Sequence, residues 1–541
     1  MRTLLRGGYV HTPADPHATA ICIDGGQVVW TGDDDASVHF EDGATRIIDL
    51  RGRLVTPAFV DAHVHLAQTG FAASGLDLAP ATSLSDALDA LASHVSSGSG
   101  STSSVVLGFG WDETSWPEQR PPTREEVDRA TGGRITLLSR VDVHSAVVST
   151  ALIDACPDIV HAQGYDATGL VTRTAHHMAR AALFQIIPGA DREDAILRAL
   201  QNAARQGIGM VHELGAPHIC PPEDFEILGN LTQAALLGQR PAVPEAVWYW
   251  GSLDVDDARR IGCAGAAGDL CVDGSIGSRT SALHEPYADA DTSGHLYLDA
   301  GQVADHVVEC TRKGLQAGFH VIGDRAVTEV VSGFRAAVAV VGAPALVAAR
   351  HRLEHVEMTT PEQMQVLAAL GVTASMQPLF DGFWGGTSSL YARRLGVDRA
   401  VTMNAFASMS RAGVALAFGS DSPVTPFEPW AAVRAAAWHQ TESERITVRA
   451  AFAAHTRGGW RAAARDEGGV IAPGAPASIA VFDVPGDLLV QAPDTRVAAW
   501  STDPRAGVPR LPGLRPEAHL PTCVMTLVHG EVAFEEPGAL E

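Results

Sequence analysis

The chain is short of positive charge. Lys and Arg number 39 against 63 Asp and Glu, giving a formal net charge of −24. Binding to polyphosphate rests on neutralisation by Lys and Arg, so neither nucleic acid nor an anionic membrane surface is expected as a partner. A local pocket can carry either sign, so the balance says nothing against a small-molecule substrate. Paired cysteines are also missing. The seven cysteines, at positions 22, 156, 220, 263, 271, 310 and 523, include no CxxC. Such a set fits reduced core thiols in a cytosolic protein better than a disulfide framework or a structural zinc site. No stretch approaches the ~20 consecutive apolar residues of a membrane span. The opening MRTLLRGGYVHTPADPH lacks the apolar run and small-residue cleavage site of a signal peptide. A soluble cytoplasmic protein is the expectation.

What is present is ordinary globular material, 46% hydrophobic and 19% charged over 541 residues. That is too long for one ordinary core and enough for a large barrel with a smaller unit beside it. TAICIDGGQVVWTGDD reads as two strands about Gly25-Gly26, a hairpin pattern. ASIAVFDVP and CVMTLVHGEVAFE, near the other end, are strand-like too. Both β-rich ends are expected to form one small sandwich, from 1–57 and 466–541. The centre, 58–465, alternates Ala-rich helices with short apolar strands, as in RITLLSRVDVH, QVADHVVECTRKGLQAGFHVIGD and ASMSRAGVALAFGSDSPV. Several of these helices end in Gly, the usual C-cap. Alternating strand and helix implies a parallel sheet covered on both faces, with ligand chemistry at the strand C-termini. An excursion around 70–130 breaks the pattern. It holds SSGSGSTSS, read as a loop tip, and GFGWDETSWPEQRPPT, either a wall over the site or packing for the excursion.

The residues ending the apolar runs are the ones that can carry chemistry. His63 and His65 stand two apart, so in a strand both imidazoles share a face and can share an ion. Alone, an HxH is weak. His320 ends LQAGFHVIGD, His355 ends ARHRLEHVE, and Asp421 ends VALAFGSDSPV. Carried on strand ends of one barrel, these five converge at its mouth as a ligand set. Nitrogen and carboxylate donors suit Zn²⁺, or Fe or Mn, better than Ca²⁺. Arg140, Asp142, His144, His212, Glu213 and Arg279 are placed near the same mouth, and Trp111 and Trp116 could wall it. Of these, Trp111, Arg140, His144, His212 and Arg279 are candidates to bind substrate. His94, His161, His176, His177 and His455 fall in helical or loop contexts and are expected in surface or core roles.

In this order the motifs resemble the amidohydrolase superfamily, and more closely its N-substituted formamide deformylase-like branch. The phrases TPAFVDAHVHL, GFGWDETSWPEQRPPTREEVD, LLSRVDVHSAVVSTAL, VDGSIGSRTSALHEPYAD, HVIGDRAV, RHRLEHVE and AFGSDSPV carry the likeness over nearly the whole chain. The resemblance implies a distorted (β/α)₈ TIM barrel joined to a β-sandwich built from both termini. It places the metal ligands on barrel strands one, five, six and eight. It also implies hydrolysis of a carbon–nitrogen bond, an N-acyl or N-formyl amine, by metal-activated water, with Asp421 moving the proton. Two departures stand out. Where many relatives have a lysine that is carboxylated to bridge two metals, GDLCVDGS has Asp269. That favours one metal, with Asp269 or Asp273 as a further candidate ligand and a second ion left open. Ser478 stands where an Asp is usual in the turn into the sandwich. A deaminase of a cyclic amidine-like substrate is the alternative, disfavoured because HVIGDR lacks the HxxE of a proton shuttle. A non-catalytic barrel ranks last, since the ligands are all kept. A small molecule is the expected partner, and a homodimer is compatible with this reading.

Overall fold

Eight parallel strands form the central sheet of the computed structural model, which describes residues 2–43, 45–98, 105–489 and 508–540. In chain order they are Phe59–Val64, Ile208–Gly215, Glu245–Trp250, Gly265–Ala266, Gln316–Val321, Arg352–His355, Thr373–Met376 and Ala415–Phe418. Each pairs with the next, as where His320 stands opposite Glu354 and Val321 opposite His355. Past their ends the first and eighth strands meet. The Asp421 amide donates to the His63 carbonyl (2.8 Å) and the His65 amide to that of Ser422 (3.0 Å). The sheet is thus a nearly closed TIM barrel. Six of its strands are buried on both faces, which is why they read as continuous apolar runs rather than alternating ones, while Glu245–Trp250 and Ala415–Phe418 are partly open.

The helix-then-glycine pattern has the expected cause. Helix Ala300–Lys313 ends at Gly314 (φ 71°) and helix Phe406–Ala412 at Gly413 (φ 89°), and each left-handed cap turns the chain into the following strand.

Both termini build the second unit. The hairpin of Ala20–Asp24 and Gln27–Gly32 turns at Gly25-Gly26, both with positive φ. It joins Thr3–Arg6 and Arg46–Asp49 in a four-stranded sheet. A five-stranded sheet pairs Leu54–Pro57 with Ile479–Asp483, and the latter with Thr522–Val528. Leu5, Ile21, Val55, Ile479 and Met525 share the core of this unit.

The excursion after the first barrel strand is larger than 70–130. It is a separate five-stranded sheet running from Leu76 to Thr172. RITLLSR, expected as a barrel strand, belongs to it as Ile135–Arg140, paired with Val105–Trp111 on one side and Ser145–Val148 on the other. The Ser/Gly tip lies mostly outside the described residues. Among the described residues, no single helix is long and apolar enough to cross a membrane. All seven cysteines are free, and all but Cys156 are buried.

Candidate metal centre

His63, His65, Asp269 and Asp421 meet at the barrel mouth. His63 Nε2 lies 3.4 Å from Asp269 Oδ1 and 3.3 Å from Asp421 Oδ1. His65 Nε2 lies 3.3 Å from Asp269 Oδ2 and 3.2 Å from Asp421 Oδ1. Two ligands each ~2.05 Å from one ion at a tetrahedral angle stand about 3.3–3.4 Å apart, the spacing of each of these contacts, and donor atoms of His63, His65 and Asp269 gather as those of one ion's ligands would. The chemistry also fits. His63 Nε2 and Asp269 Oδ1 are buried without a hydrogen-bond partner. Burial opposes charge on His63, but Asp421 and Asp269 outweigh it and push its pKa well up. Two carboxylates crowded against two imidazole nitrogens call for positive charge among them, which a bound cation would supply.

The backbone is held to suit. Asp61, buried behind His63, accepts from the amides of His63 (3.2 Å) and Ser420 (2.9 Å), tying strand one to the loop after strand eight. His355 (φ 70°) and Asp421 (φ 56°) both sit in the left-handed region, a strain concentrated at the site. Behind this group, His63 Nδ1 donates to Glu354 Oε2 (2.9 Å). Arg352 grips the same carboxylate through Nε (2.6 Å) and Nη2 (3.0 Å). Burial works against ionisation of Glu354, yet Arg352 and His63 hold its carboxyl far below the usual range. The carboxylate fixes the His63 tautomer and leaves Nε2 free for an ion.

His320 and His355 stand beside this group, their rings 4.5 Å apart, and donor atoms of His355 gather with those of His63 and Asp421. His355 Nδ1 donates to Gln377 Oε1 (2.8 Å), while neither ring nitrogen of His320 has a hydrogen-bond partner among the described residues, the nearest carboxylate being Asp273 at 3.9 Å. Burial pulls both pKa values down. They border a small cleft of about 30 Å³ shared with His144, Asp142, Phe380, Trp384 and Tyr391. Asp273 is no part of the group. Its oxygens are taken by the amides of Ala282, Ile322 and Gly323 at 2.8–3.0 Å, so it fastens the DGS turn to the end of strand five.

The other candidates separate by their partners. His144 lies 5.0 Å ring to ring from His320, at the cleft. Arg140 is not free for a substrate, because Asp112 (2.8 Å), Glu113 (2.9 Å) and Asp142 (3.3 Å) neutralise it. Asp142 accepts from Ser275 (2.7 Å) and Ser278, fastening the inserted sheet to the DGS turn. Arg279 forms a bidentate pair with Asp289 (3.0 and 2.8 Å) outside the cleft. His212 is in the barrel interior, its Nδ1 3.0 Å from Arg352 Nη1, and Glu213 accepts from the Leu66 amide (2.7 Å). Trp111 and Trp116 are packing residues of the inserted sheet, their indole N–H groups donating to Leu138 and Ala81 carbonyls. The aromatic wall comes instead from Phe380 and Trp384, on helix Pro378–Trp384 after strand seven, and from Tyr391. Only the run PLFDGFW could have signalled it. His455 is a core residue against Phe59 and Phe418, as expected, and His161 is exposed. His177, expected in a bland role, stacks on His218 beside Cys271.

A family model described as the amidohydrolase family matches residues 46–534. The chain belongs to the amidohydrolase family. It is 24% identical to YtcJ of Bacillus subtilis (strain 168) over 479 residues, 82% of this chain and 85% of that one. A stretch of 139 residues, 25% of each chain, is 26% identical to the N-substituted formamide deformylase of Arthrobacter pascens. The fold matches that of an uncharacterized metal-dependent hydrolase from Pyrococcus furiosus. The TM-score is 0.68 at 24% identity, over 89% of this chain and 98% of that one. As a member of the amidohydrolase family, the protein is a hydrolase of a metal-dependent superfamily.

Proposed function

We propose that this amidohydrolase cleaves a non-peptide amide, an N-acyl or N-formyl amine, with one divalent transition ion held by His63, His65, Asp269 and Asp421, Zn²⁺ being the first choice. The observation that carries the reading is the set of four carboxylate–imidazole contacts at 3.2–3.4 Å. Two features support a single ion. Asp269 already turns Oδ1 to His63 and Oδ2 to His65, which leaves it no oxygen for an ion toward His320. The only lysine in the sequence, Lys313, is paired with Asp256 and Glu309 on the outer helix Ala300–Lys313, so no lysine is available to bridge.

Bound there, the ion supplies Lewis acidity toward a substrate carbonyl and a nearby water. The protein residues do the rest. Asp421, through Oδ2, accepts the proton of the attacking water and returns it to the leaving nitrogen. His320 and His355, neutral and at the cleft, orient the carbonyl and stabilise charge developing on its oxygen. Phe380 and Trp384 hold the acyl or amine substituent. The test is metal analysis beside an Asp421→Asn variant. The expected result is one equivalent per chain and a loss of amide hydrolysis of about 10³-fold. Two equivalents overturn the single-ion assignment, and an undiminished rate overturns the role of Asp421.

A further inference from the structure

Five arginines are buried among the described residues: Arg140, Arg180, Arg192, Arg352 and Arg394. Four of them face a carboxylate, Arg140 on Asp112, Arg192 on Asp224 (2.6 Å), Arg352 on Glu354 and Arg394 on Asp289 (2.6 Å). Arg180 does not. It is 8% exposed, and its Nη2 is buried with no hydrogen-bond partner. An arginine does not shed its charge to escape this, and burying a charge is tolerated only where it is paired.

Helix Arg173–Ile186 leads out of the inserted sheet, and Arg180 lies three residues past His177, on the same helix face. The His177 ring stacks on His218 at 3.9 Å and 22°. His218 Nε2 is 3.9 Å from Cys271 Sγ, two residues beyond Asp269. Burial works against the charge of Arg180, and Asp269 and Asp421 favour it from beyond ion-pair distance. Both aspartates already face the histidine pair.

Donor atoms of His177, His218 and Cys271 lie within 4.8 Å of one another, as those of a second metal site would. The ring planes argue against it. An ion shared by two imidazoles lies close to both planes, and two rings stacked nearly parallel have no such common point next to their nitrogens. A cation there would also adjoin an arginine that lacks a counter-ion.

We propose that Arg180, beside the stacked His177 and His218, binds a carboxylate of the substrate, so that the amide cleaved is of the N-acyl amino acid class. Arginine is suited to this because its planar fork matches a carboxylate in two parallel hydrogen bonds. The identity of the scissile bond rests on the proposed function; the anion site does not.

The test uses the metal-loaded protein, its Arg180→Met and Arg180→Lys variants, and a panel of N-acetyl amino acids of both configurations against their neutral carboxamides. Binding is read by calorimetry and by the ligand-induced rise in melting temperature. Expected for R180M is a ligand-free melting temperature at or above that of the parent, since an unpaired buried charge has gone. Its affinity for the preferred N-acetyl amino acid falls at least tenfold, while that for the carboxamide is unchanged. R180K keeps part of the anion binding. A ligand-free R180M that melts several degrees lower would show a structural role and overturn the proposal. So would undiminished anion binding, or a parent protein that does not prefer the acids. Binding of the acids through Arg180 without their hydrolysis would sustain this site and overturn the proposed reaction instead.

Discussion

Replacing Glu354 by Gln tests whether the buried Arg352–Glu354–His63 chain sets the metal centre. The carboxylate receives three donors on two oxygens: Arg352 Nε on Oε1, and Arg352 Nη2 with His63 Nδ1 on Oε2. A glutamine has one acceptor. Placing its carbonyl at Oε2 keeps two contacts and turns the NH₂ against Arg352 Nε. At least one hydrogen bond to a charged group is lost, about 1.5–3 kcal/mol. Arg352, 0% exposed, is left without its counter-charge. Breaking a buried pair in this way costs about 3–5 kcal/mol, a large part of a typical stability of about 5–15 kcal/mol. The same change weakens the support of the His63 tautomer, which for such outer partners lowers metal affinity by about 10–100-fold. Denaturant unfolding of the metal-free protein measures the first effect, and competition with a calibrated chelator measures the second. If E354Q matches the parent in both, the reasoning about this carboxylate is wrong.

Three further outcomes are expected. Asp269→Asn removes one charged ligand, so metal content after dialysis should drop well below one equivalent while the fold is retained; full occupancy would exclude Asp269 as a ligand. Gly419→Ala would place a methyl 2.5 Å from the His63 amide nitrogen and 2.8 Å from Asp61 Oδ1. Overpacking of this kind costs about 1–3 kcal/mol, and an unchanged melting temperature would contradict it. Acid should destabilise the protein through its buried neutral histidines. Burial lowers His11, His351 and His455 to about 4. His351 shows why, since Nδ1 accepts the Ala317 amide (2.9 Å) and Nε2 donates to Thr311 (2.9 Å). With unfolded values near ~6.5, the unfolded chain takes up protons that the native state refuses. Stability present above ~6.5 is therefore lost as pH falls toward 4, by up to about 3 kcal/mol per histidine. Asp61, Glu213, Asp273 and Glu357, raised by burial to about 6–8, work in the opposite direction. The check is therefore a His351→Gln variant, and a loss of melting temperature between pH 7 and 5 equal to the parent's would refute this.

Much of the centre was legible because its signals are local. His63 and His65 share a face by strand geometry alone, and His320, His355 and Asp421 each end an apolar run. The assignment of RITLLSR to the barrel failed because a strand flanked by helices reads the same whichever sheet it joins. Its partner, Val105–Trp111, is a non-local fact. Arg140 and Arg279 looked available for a substrate because their counter-charges lie elsewhere in the chain, at Asp112, Glu113 and Asp289. The cleft aromatics were passed over because a barrel mouth invites attention to polar strand ends, while Phe380 and Trp384 follow on the next helix. Arg180 shows the reverse case: only the tertiary structure reveals that a buried arginine faces no carboxylate among the described residues.

Asp269 has a consequence for how the protein matures. A lysine carbamate must be made from dissolved carbon dioxide and decays when the gas is withdrawn, so a centre built on one depends on the bicarbonate around it. An aspartate carries its charge from the moment of synthesis. Metal loading of this chain should therefore proceed as fast in degassed buffer as in bicarbonate, leaving the supply of the ion as the limiting reagent.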